Sequence, residues 1–210
     1  MERSSLGIVI PAFNESRTIA DVVALCNVYG LSIVIDDGSS DDTGDIAYAA
    51  GAVVMRHEAN RGYDASIESG FKEAAKLGCE YVITIDADGQ HDPALLAEFC
   101  KLLDAGADIV IGDRNERPRF AELCFSLLTE LRYGLKDPLC GLKAYRMSIY
   151  NKLGHFDSHN SIGTELALFA VRSGFLMKQV PVVVRKRMDK SRFGHKLRAN
   201  YKIFRALLLS

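Results

Sequence analysis

YVITIDADGQHDP, residues 81–93, is an apolar run that ends in two aspartates separated by one small residue. The run is short and rich in β-branched residues, which predicts a strand over 82–85. This strand would deliver Asp86 and Asp88 to the carboxyl edge of a sheet, where open α/β folds bind ligands. Because alternate residues of an extended segment point the same way, the two carboxylates are predicted to converge, with Gln90 one step further along.

Oxygen ligands of this kind suit a hard cation. Mg²⁺ and Mn²⁺ bind carboxylate and amide oxygens and commonly keep substrate phosphate oxygens in their remaining positions. We therefore predict that Asp86, Asp88 and Gln90 bind Mg²⁺ or Mn²⁺, which would join the protein to a diphosphate. Asp92 is left out of this set because Asp92 followed by Pro93 is typical of the N-cap and first turn of a helix. An isolated Asp-x-Asp is more often a solvated turn, so the rest of the chain has to support the metal site.

The composition is that of a globular chain. It has 210 residues, 48% of them hydrophobic, and a formal net charge of −1, which argues for a sizeable core and against disorder. Five scattered cysteines without a C-x-x-C pair predict reduced core residues. The N-terminal apolar run is too short for a signal peptide, and no stretch reaches the roughly 20 apolar residues of a membrane span. These features predict a cytoplasmic protein, with the inner face of the membrane as a second location.

Charge is distributed unevenly along the chain. From Lys178 onward, ten basic residues stand against the single acid Asp189, whereas the acids lie mainly in the N-terminal half. This asymmetry predicts a metal and nucleotide side followed by a segment that meets an anionic acceptor, a membrane surface or nucleic acid.

Strand and helix patterns alternate through the first half. Apolar runs at 6–10, 31–35, 53–55, 82–85 and 108–112 predict five strands with helices between them, the second of these capped by Ser40 or Asp41. Such alternation predicts an α/β fold with a mostly parallel sheet and helices on both faces. Later, helices are predicted over 120–133, 147–153 and 163–173, and strands over 139–145 and 180–184. We predict one domain over 1–210, with halves 1–112 and 113–194 and a basic amphipathic helix over 195–210.

Four motifs, each predicted at a strand end, follow one another along the chain: Pro11-Ala12-Phe13-Asn14-Glu15, Asp36-Asp37-Gly38-Ser39, Asn60-Arg61-Gly62 and Asp86-Ala87-Asp88-Gly89-Gln90. In order and spacing they resemble the family 2 glycosyltransferases of the GT-A fold, and within these the polyprenyl-phosphate sugar transferases of the dolichyl-phosphate mannose synthase type. The resemblance covers most of the chain and implies a Rossmann-like GT-A domain with a mixed acceptor-side half. No G-x-G-x-x-G or G-x-x-x-x-G-K-[ST] is present, which disfavours a dinucleotide-binding enzyme and a P-loop NTPase.

The resemblance also implies residue roles. Asp88, Arg114 and Glu165 would serve catalysis, Arg114 by adding positive charge near the leaving diphosphate and the metal by stabilising the charge that develops there. Which of Asp36 and Asp37 faces the base stays open, as do the base and the sugar. The residues expected to hold the nucleotide are Pro11, Ala12, Asn14, Glu15, Asp36, Asp37, Asn60, Gly62 and Asp86.

The acceptor side lacks one residue of the wider family pattern. Where many members have a Glu-Asp pair whose aspartate is the general base, this chain has Thr164-Glu165-Leu166. Either Glu165 replaces that base for a saccharide or other hydroxyl acceptor, or the acceptor is a phosphate that is already anionic and needs none. A catalytically idle nucleotide-sugar-binding subunit is a third alternative. No nucleic-acid partner is predicted.

A lipid-phosphate acceptor requires positive charge. Ser191-Arg192-Phe193-Gly194 resembles the Ser-Lys-aromatic-Gly ending of the polyprenyl-phosphate branch, although Asp189 stands where that branch has glycine. We therefore predict that Arg187, Ser191 and Arg192 bind the acceptor phosphate. The segment 137–143 resembles the Asp-x-x-Ser/Cys-Gly segment of the same branch, an acceptor-side loop. The basic helix over 195–210 suits a bilayer interface, a homodimer contact or core packing. Two histidines are assigned no site role: His91 as a turn residue and His57 as a surface residue.

Overall fold

The computed structural model describes residues 2–90, 92–115, 120–158 and 161–184. In these parts of the chain, the strands are β1 (Leu6–Ala12), β2 (Leu31–Asp36), β3 (Val53–Arg56), β4 (Tyr81–Thr84), β5 (Ile109–Arg114), β6 (Lys143–Arg146) and β7 (Met177–Val182). The α-helices are α1 (Ile19–Cys26), α2 (Thr43–Ala49), α3 (Tyr63–Lys76), α4 (Leu96–Asp104), α5 (Phe120–Tyr133), α6 (Met147–Leu153) and α7 (Glu165–Arg172).

The strands form one sheet in the order β3-β2-β1-β4-β6-β5-β7. Strands β1 to β4 pair with one another in parallel, β6 runs antiparallel to both β4 and β5, and β7 is parallel to β5. This confirms the predicted α/β fold with a mostly parallel sheet and a mixed second half. Because β6 runs the opposite way, it begins at the edge of the sheet where the parallel strands end.

Helices cover both faces of the sheet. Helices α1, α2 and α4 pack on one face, while α3, α5, α6 and α7 pack on the other. Because side chains alternate along a strand, each strand contributes to the cores on both faces of the sheet: in β1, Ile8 and Ile10 point to the first and Val9 to the second. The helical spacing of Ile19, Val22, Val23 and Cys26 buries one side of α1 in the same way.

Several predicted boundaries differ from those of the structure. The strand predicted over 139–145 is a turn up to Leu142 and a strand only from Lys143, because the Asp137 carboxylate accepts the Leu139 N–H (3.2 Å) and turns the chain. The last strand, β7, begins three residues before its predicted start. Helix α2 begins at Thr43 with Asp42 at the N-cap, while the neighbouring Asp41 accepts the Thr43 N–H (3.1 Å).

Three further predictions concern the cysteines, the cap at Asp92 and membrane-spanning helices. All five cysteines are free thiols, and three of them are buried. Asp92 acts as a cap, since its carboxylate accepts the Ala94 N–H (3.0 Å), although the first turn is a short 3-10 helix that precedes α4. No helix in the described ranges is long and apolar enough to cross a bilayer. His91, Arg187, Ser191, Arg192 and the helix predicted over 195–210 lie outside the described residues, and the division of 1–210 into parts stays a prediction.

Candidate active site

The ends of β1 and β2 are tied together by the first two motifs. Ala12 pairs with Asp36 in the sheet, and the Asp37 N–H donates to the Ala12 carbonyl (2.8 Å). Asn14 adopts the left-handed conformation (φ 55), which asparagine tolerates better than most residues, and its side-chain oxygen accepts the Ser40 N–H (2.8 Å). The Glu15 N–H donates to the Thr43 hydroxyl (2.8 Å). The structure therefore gathers these predicted nucleotide-binding residues, with Pro11, at one end of the sheet.

Asp36 and Asp37 both make internal contacts. Asp36 accepts the Ser39 N–H (3.0 Å) and lies 3.1 Å from the Arg56 guanidinium. Asp37 accepts the N–H groups of Arg61 (2.9 Å) and Gly62 (2.8 Å), one with each carboxylate oxygen. Glycine is required at position 62 because its φ is 90, a backbone conformation that residues with a side chain rarely adopt. Asp37 thus fixes the Asn60-Arg61-Gly62 loop beside the DDGS motif, while which aspartate meets the base stays a prediction.

His57 was predicted to be a surface residue, and this is wrong. It is buried with 9% exposure, its Nδ1 lies 2.7 Å from Asp37 Oδ1, and its Nε2 lies 2.9 Å from the Ser69 hydroxyl. Both ring nitrogens are therefore engaged in a link from the DDGS loop to α3. The residues that follow His57 are exposed, so no local pattern in the sequence marks this histidine as buried.

The DADGQ segment is a turn and not an extended continuation of β4. The strand ends at Thr84, Gly89 has φ 71, and the Asp88 carboxylate accepts the Gln90 N–H (3.0 Å). The predicted extended conformation is therefore wrong, because a side-chain-capped turn replaces the pleat, and the convergence of the two carboxylates stays a prediction. The Thr18 hydroxyl donates to the Ala87 carbonyl (2.7 Å), which holds this turn against the start of α1 and hence beside the motifs predicted to bind the nucleotide.

Asp86 faces a glycine that has no room for a side chain. A Cβ atom added at Gly141 would lie 2.5 Å from Asp86 Oδ2. Tyr63, the first residue of α3, is also near: burial raises the pKa of its phenol, and the charges of Asp86 and Asp64 raise it further. Neither Gly141 nor Tyr63 was assigned a role at this carboxylate from the sequence, since the contacts join segments far apart in the chain.

The residues of this turn fit a hard cation. Asp86, Asp88 and Gln90 offer carboxylate and amide oxygens, the ligand type that Mg²⁺ and Mn²⁺ prefer. Among the described residues, no group of three or more His, Cys, Asp and Glu side chains could hold a metal by itself. A cation here would therefore depend on other oxygens to complete its coordination, as expected where a diphosphate is the second partner.

Arg114 at the end of β5 is held by Asp137. Its Nε and Nη2 lie 2.6 and 2.9 Å from the two carboxylate oxygens, and Glu122 of α5 lies 3.7 Å from Nη2. Burial alone would lower the pKa of Arg114, but the hydrogen bonds and charge of Asp137 outweigh it and raise that pKa. The guanidinium is therefore permanently charged and fixed in orientation, while its action on a diphosphate stays a prediction.

Glu165 lies at the first position of α7 and turns back on the preceding loop. Its carboxylate accepts the Ser158 N–H (2.6 Å), and His155 Nε2 lies 2.9 Å away. The Ser158 hydroxyl is 3.0 Å from both carboxylate oxygens. These contacts hold the loop before α7, and the proposed role of Glu165 as a base stays untested.

Lys143 is a buried cation that the sequence reasoning missed. It is 4% exposed, and its ammonium donates to the Gly163 carbonyl (2.7 Å). Burial lowers the pKa of this lysine to about 8. A single lysine within the apolar stretch 139–145 is the feature that could have drawn attention to it.

The fold and the site together define a GT-A domain, and comparison with known proteins agrees. A family model described as "Glycosyl transferase family 2" matches residues 7–163. Polyprenol monophosphomannose synthase of Mycolicibacterium smegmatis is 29% identical over 205 residues, covering 86% of this chain and 77% of that protein. The UDP-N-acetylglucosamine–dolichyl-phosphate N-acetylglucosaminyltransferase of Methanococcus voltae is 26% identical over 236 residues, covering 96% of this chain and 94% of that protein.

A solved structure gives the same assignment of fold. Glucosyl-3-phosphoglycerate synthase from Mycobacterium tuberculosis, solved in complex with Mn²⁺ and uridine-diphosphate-glucose, superposes with a TM-score of 0.78 at 26% identity, covering 98% of this chain and 78% of that one. The chain therefore belongs to glycosyl transferase family 2, and it is a glycosyltransferase, as the four motifs implied.

Proposed function

We propose that this enzyme is a metal-dependent inverting glycosyltransferase that moves a sugar from a nucleotide-sugar donor to a polyprenyl phosphate. The observation that carries the choice of acceptor is the engagement of the Glu165 carboxylate by Ser158 and His155. A hydroxyl acceptor would need a general base, whereas a phosphate is already anionic near neutral pH and can attack without one. Both curated relatives described above are named for polyprenol or dolichyl phosphate products or acceptors, which supports this proposal.

In this proposal, the donor and the acceptor bind on two different sides of the same sheet edge. The motifs at the ends of β1 and β2 would bind the nucleoside, and Asp86, Asp88 and Gln90 would hold Mg²⁺ or Mn²⁺ near the diphosphate. When bound, the cation would neutralise charge that develops on the diphosphate as it leaves. An acceptor phosphate oxygen forms a bond to the anomeric carbon while the bond from that carbon to the diphosphate breaks, and Arg114 stabilises negative charge beside this step.

The outer face of α5 supports a lipid acceptor. Phe120, Leu123, Leu127 and Leu131 are 74%, 55%, 57% and 77% exposed, and at helical spacing they form one apolar stripe. The opposite side of the same helix is buried through Ala121 and Phe125. An exposed stripe of this size is typical of a surface that meets a membrane or another protein. We propose that it rests on the bilayer that holds the polyprenyl phosphate, so that the enzyme is a peripheral membrane protein.

A transfer assay tests the proposed acceptor. The purified chain is incubated with Mn²⁺ or Mg²⁺ and a panel of radiolabelled nucleotide sugars, with polyprenyl phosphate, the matching polyprenol or a free saccharide as acceptor. We expect label to enter the lipid only with the phosphate, and transfer to survive Glu165→Gln at one tenth or more of the native rate. Transfer to a hydroxyl acceptor that Glu165→Gln abolishes would instead identify Glu165 as a base and reject the phosphate acceptor.

A further inference from the structure

Lys143 lies where the two sides of the candidate site meet. It is the first residue of β6, the strand inserted between β4 and β5, and it pairs with Thr84 on one side and Ile111 on the other. Thr84 is the last residue of β4, directly before the segment that carries the predicted metal ligands. The backbone of Lys143 is therefore fixed beside Thr84, which precedes Asp86 by two positions in the sequence.

The turn before Lys143 is attached to the metal-binding segment. The Thr84 hydroxyl donates to the Gly141 carbonyl (2.7 Å), and Gly141 packs against the Asp86 carboxylate so closely that no side chain would fit between them. Any displacement of residues 141–143 would consequently move the wall against which Asp86 rests.

The side chain of Lys143 reaches the loop on the acceptor side. Its ammonium donates to the Gly163 carbonyl (2.7 Å), and the Gly163 N–H donates to Asp157 (3.2 Å). Ile162 and Gly163 have φ values of 60 and 65, and a β-branched residue in this left-handed region is strained. Strain persists only where surrounding contacts impose it, and here Lys143 and Asp157 hold the loop from two sides. The loop continues directly into α7 and Glu165.

A lysine is a costly choice for this position if it serves stability alone. Its ammonium is almost fully buried, and among the described residues its one hydrogen bond goes to an uncharged carbonyl. Burying a charge without an ion pair is unfavourable, and an apolar side chain of similar length would avoid that cost. An apolar residue, however, could not donate the hydrogen bond that joins the sheet to this backbone carbonyl.

We infer that Lys143 is a positioning residue that holds the loop residues 161–164 at a fixed distance from the metal-binding turn. This inference rests on the proposed function, because it matters only if donor and acceptor occupy the two sides that Lys143 joins. A displacement of about 1 Å between reacting groups can lower a rate by about 100-fold. Lys143 would thus act on the rate of transfer and on acceptor binding while leaving nucleotide binding unchanged.

The test compares Lys143→Met with a matched control on the same strand. Arg146→Met also removes a cationic contact from β6, the partly exposed ion pair with Asp108 (3.0 Å), but at the other end of the strand. We expect Lys143→Met to lower kcat for transfer at least tenfold and to raise the KM for the acceptor, with the KM for the nucleotide sugar within twofold of native. Arg146→Met should lose thermal stability without these kinetic changes, and Lys143→Arg should recover part of kcat.

A second measurement needs no acceptor and separates this inference from the proposed function. Hydrogen exchange of the amides of residues 161–166 should quicken at least fivefold in Lys143→Met and stay near native in Arg146→Met. If Lys143→Met does not fold, Lys143→Gln, which keeps a donor without the charge, takes its place with the same expectation in weaker form. Native kcat and native exchange in the folded variant would overturn the inference, whereas failure of polyprenyl phosphate as acceptor with quickened exchange would reject only the proposed function.

Discussion

Gly141 shows how one residue can set the position of a carboxylate, that of the predicted metal ligand Asp86. Because a Cβ at this position would lie 2.5 Å from Asp86 Oδ2, the glycine leaves the space that the carboxylate occupies. Heavy atoms without a bond between them do not approach so closely, so a larger residue must displace Asp86 or the turn that carries it.

Gly141→Ala is therefore expected to weaken metal binding. In the presence of a nucleotide sugar, the Mn²⁺ or Mg²⁺ concentration needed for a given rise in melting temperature should increase at least tenfold, since stabilisation of the native state depends on the ratio of the ligand concentration to its Kd. Gly7→Ala is the control, because a Cβ there would also be tight, 3.2 Å from Cys79 Sγ, yet at the far end of β1. Equal metal responses in the two variants would contradict the role given to Gly141.

Lys143 predicts a pH dependence of stability with a definite sign. Burial lowers its pKa to about 8, whereas an unfolded lysine titrates near about 10.4. Between these values the unfolded chain binds a proton that the native state does not, so the free energy of unfolding rises with pH, by at most about 1.4 kcal/mol per pH unit. Below pH 8 both states are protonated and the contribution is constant.

Urea denaturation of the native protein and of Lys143→Met at pH 7, 8 and 9 checks this expectation. The difference between the two proteins is the quantity to follow, because burial raises the pKa of Cys26 and Cys140 and these thiols make stability fall as pH rises. We expect the native protein to gain stability relative to Lys143→Met from pH 8 to pH 9. Parallel curves over this range would show that the Lys143 ammonium is not desolvated as described.

At the scale of elements, α5 carries two apolar faces. One is buried against the sheet, and the other, formed by Phe120, Leu123, Leu127 and Leu131, is exposed. We expect the double variant Leu127→Glu/Leu131→Glu to bind anionic phospholipid vesicles at least tenfold less tightly, since about 1 kcal/mol of apolar burial would be lost at each position and each glutamate would place a like charge at the surface. Sedimentation with vesicles measures this.

Leu25→Glu on α1 and Leu77→Glu after α3 are the matched controls, because these leucines are exposed to a similar degree but lie apart from the stripe. They should bind vesicles like the native chain. If all of the variants bind equally, the bilayer does not cover α5, and a change of oligomeric state in the double variant would point to a second copy of the chain.

Elements built from local patterns were predictable, whereas sites built from distant contacts were not. The helices 120–133 and 147–153 follow from apolar spacing, and the structure confirms them to the residue. The DADGQ segment is different: alternation predicted an extended chain, but Gly89 and the Asp88 cap make a turn. The burial of His57 and Lys143 could not be predicted, because it depends on Asp37 and Gly163, which no short-range pattern connects to them.

At the scale of the whole molecule, the sequence pattern predicts the order of the strands only in part. Parallel pairing of β1 to β4 is implied by alternating strands and helices. The insertion of the antiparallel β6 between β4 and β5 is not, because no pattern in β6 states which neighbours it joins. The parallel half could therefore be predicted in outline, while the arrangement of the acceptor half could not.

The placement of β6 also decides how the molecule can be divided. Within the described sheet, β4 and β5 do not pair with each other but are joined only through β6, although β4 and most of β5 lie within the first 112 residues. A fragment 1–112 would expose one edge of β4 and leave β5 without either of its partners. We expect this fragment to aggregate or to lack cooperative unfolding by circular dichroism, whereas the full chain melts in a single transition. The predicted nucleotide-binding half would thus not fold as a separate module, and exchanging it between enzymes of this kind would require including β6.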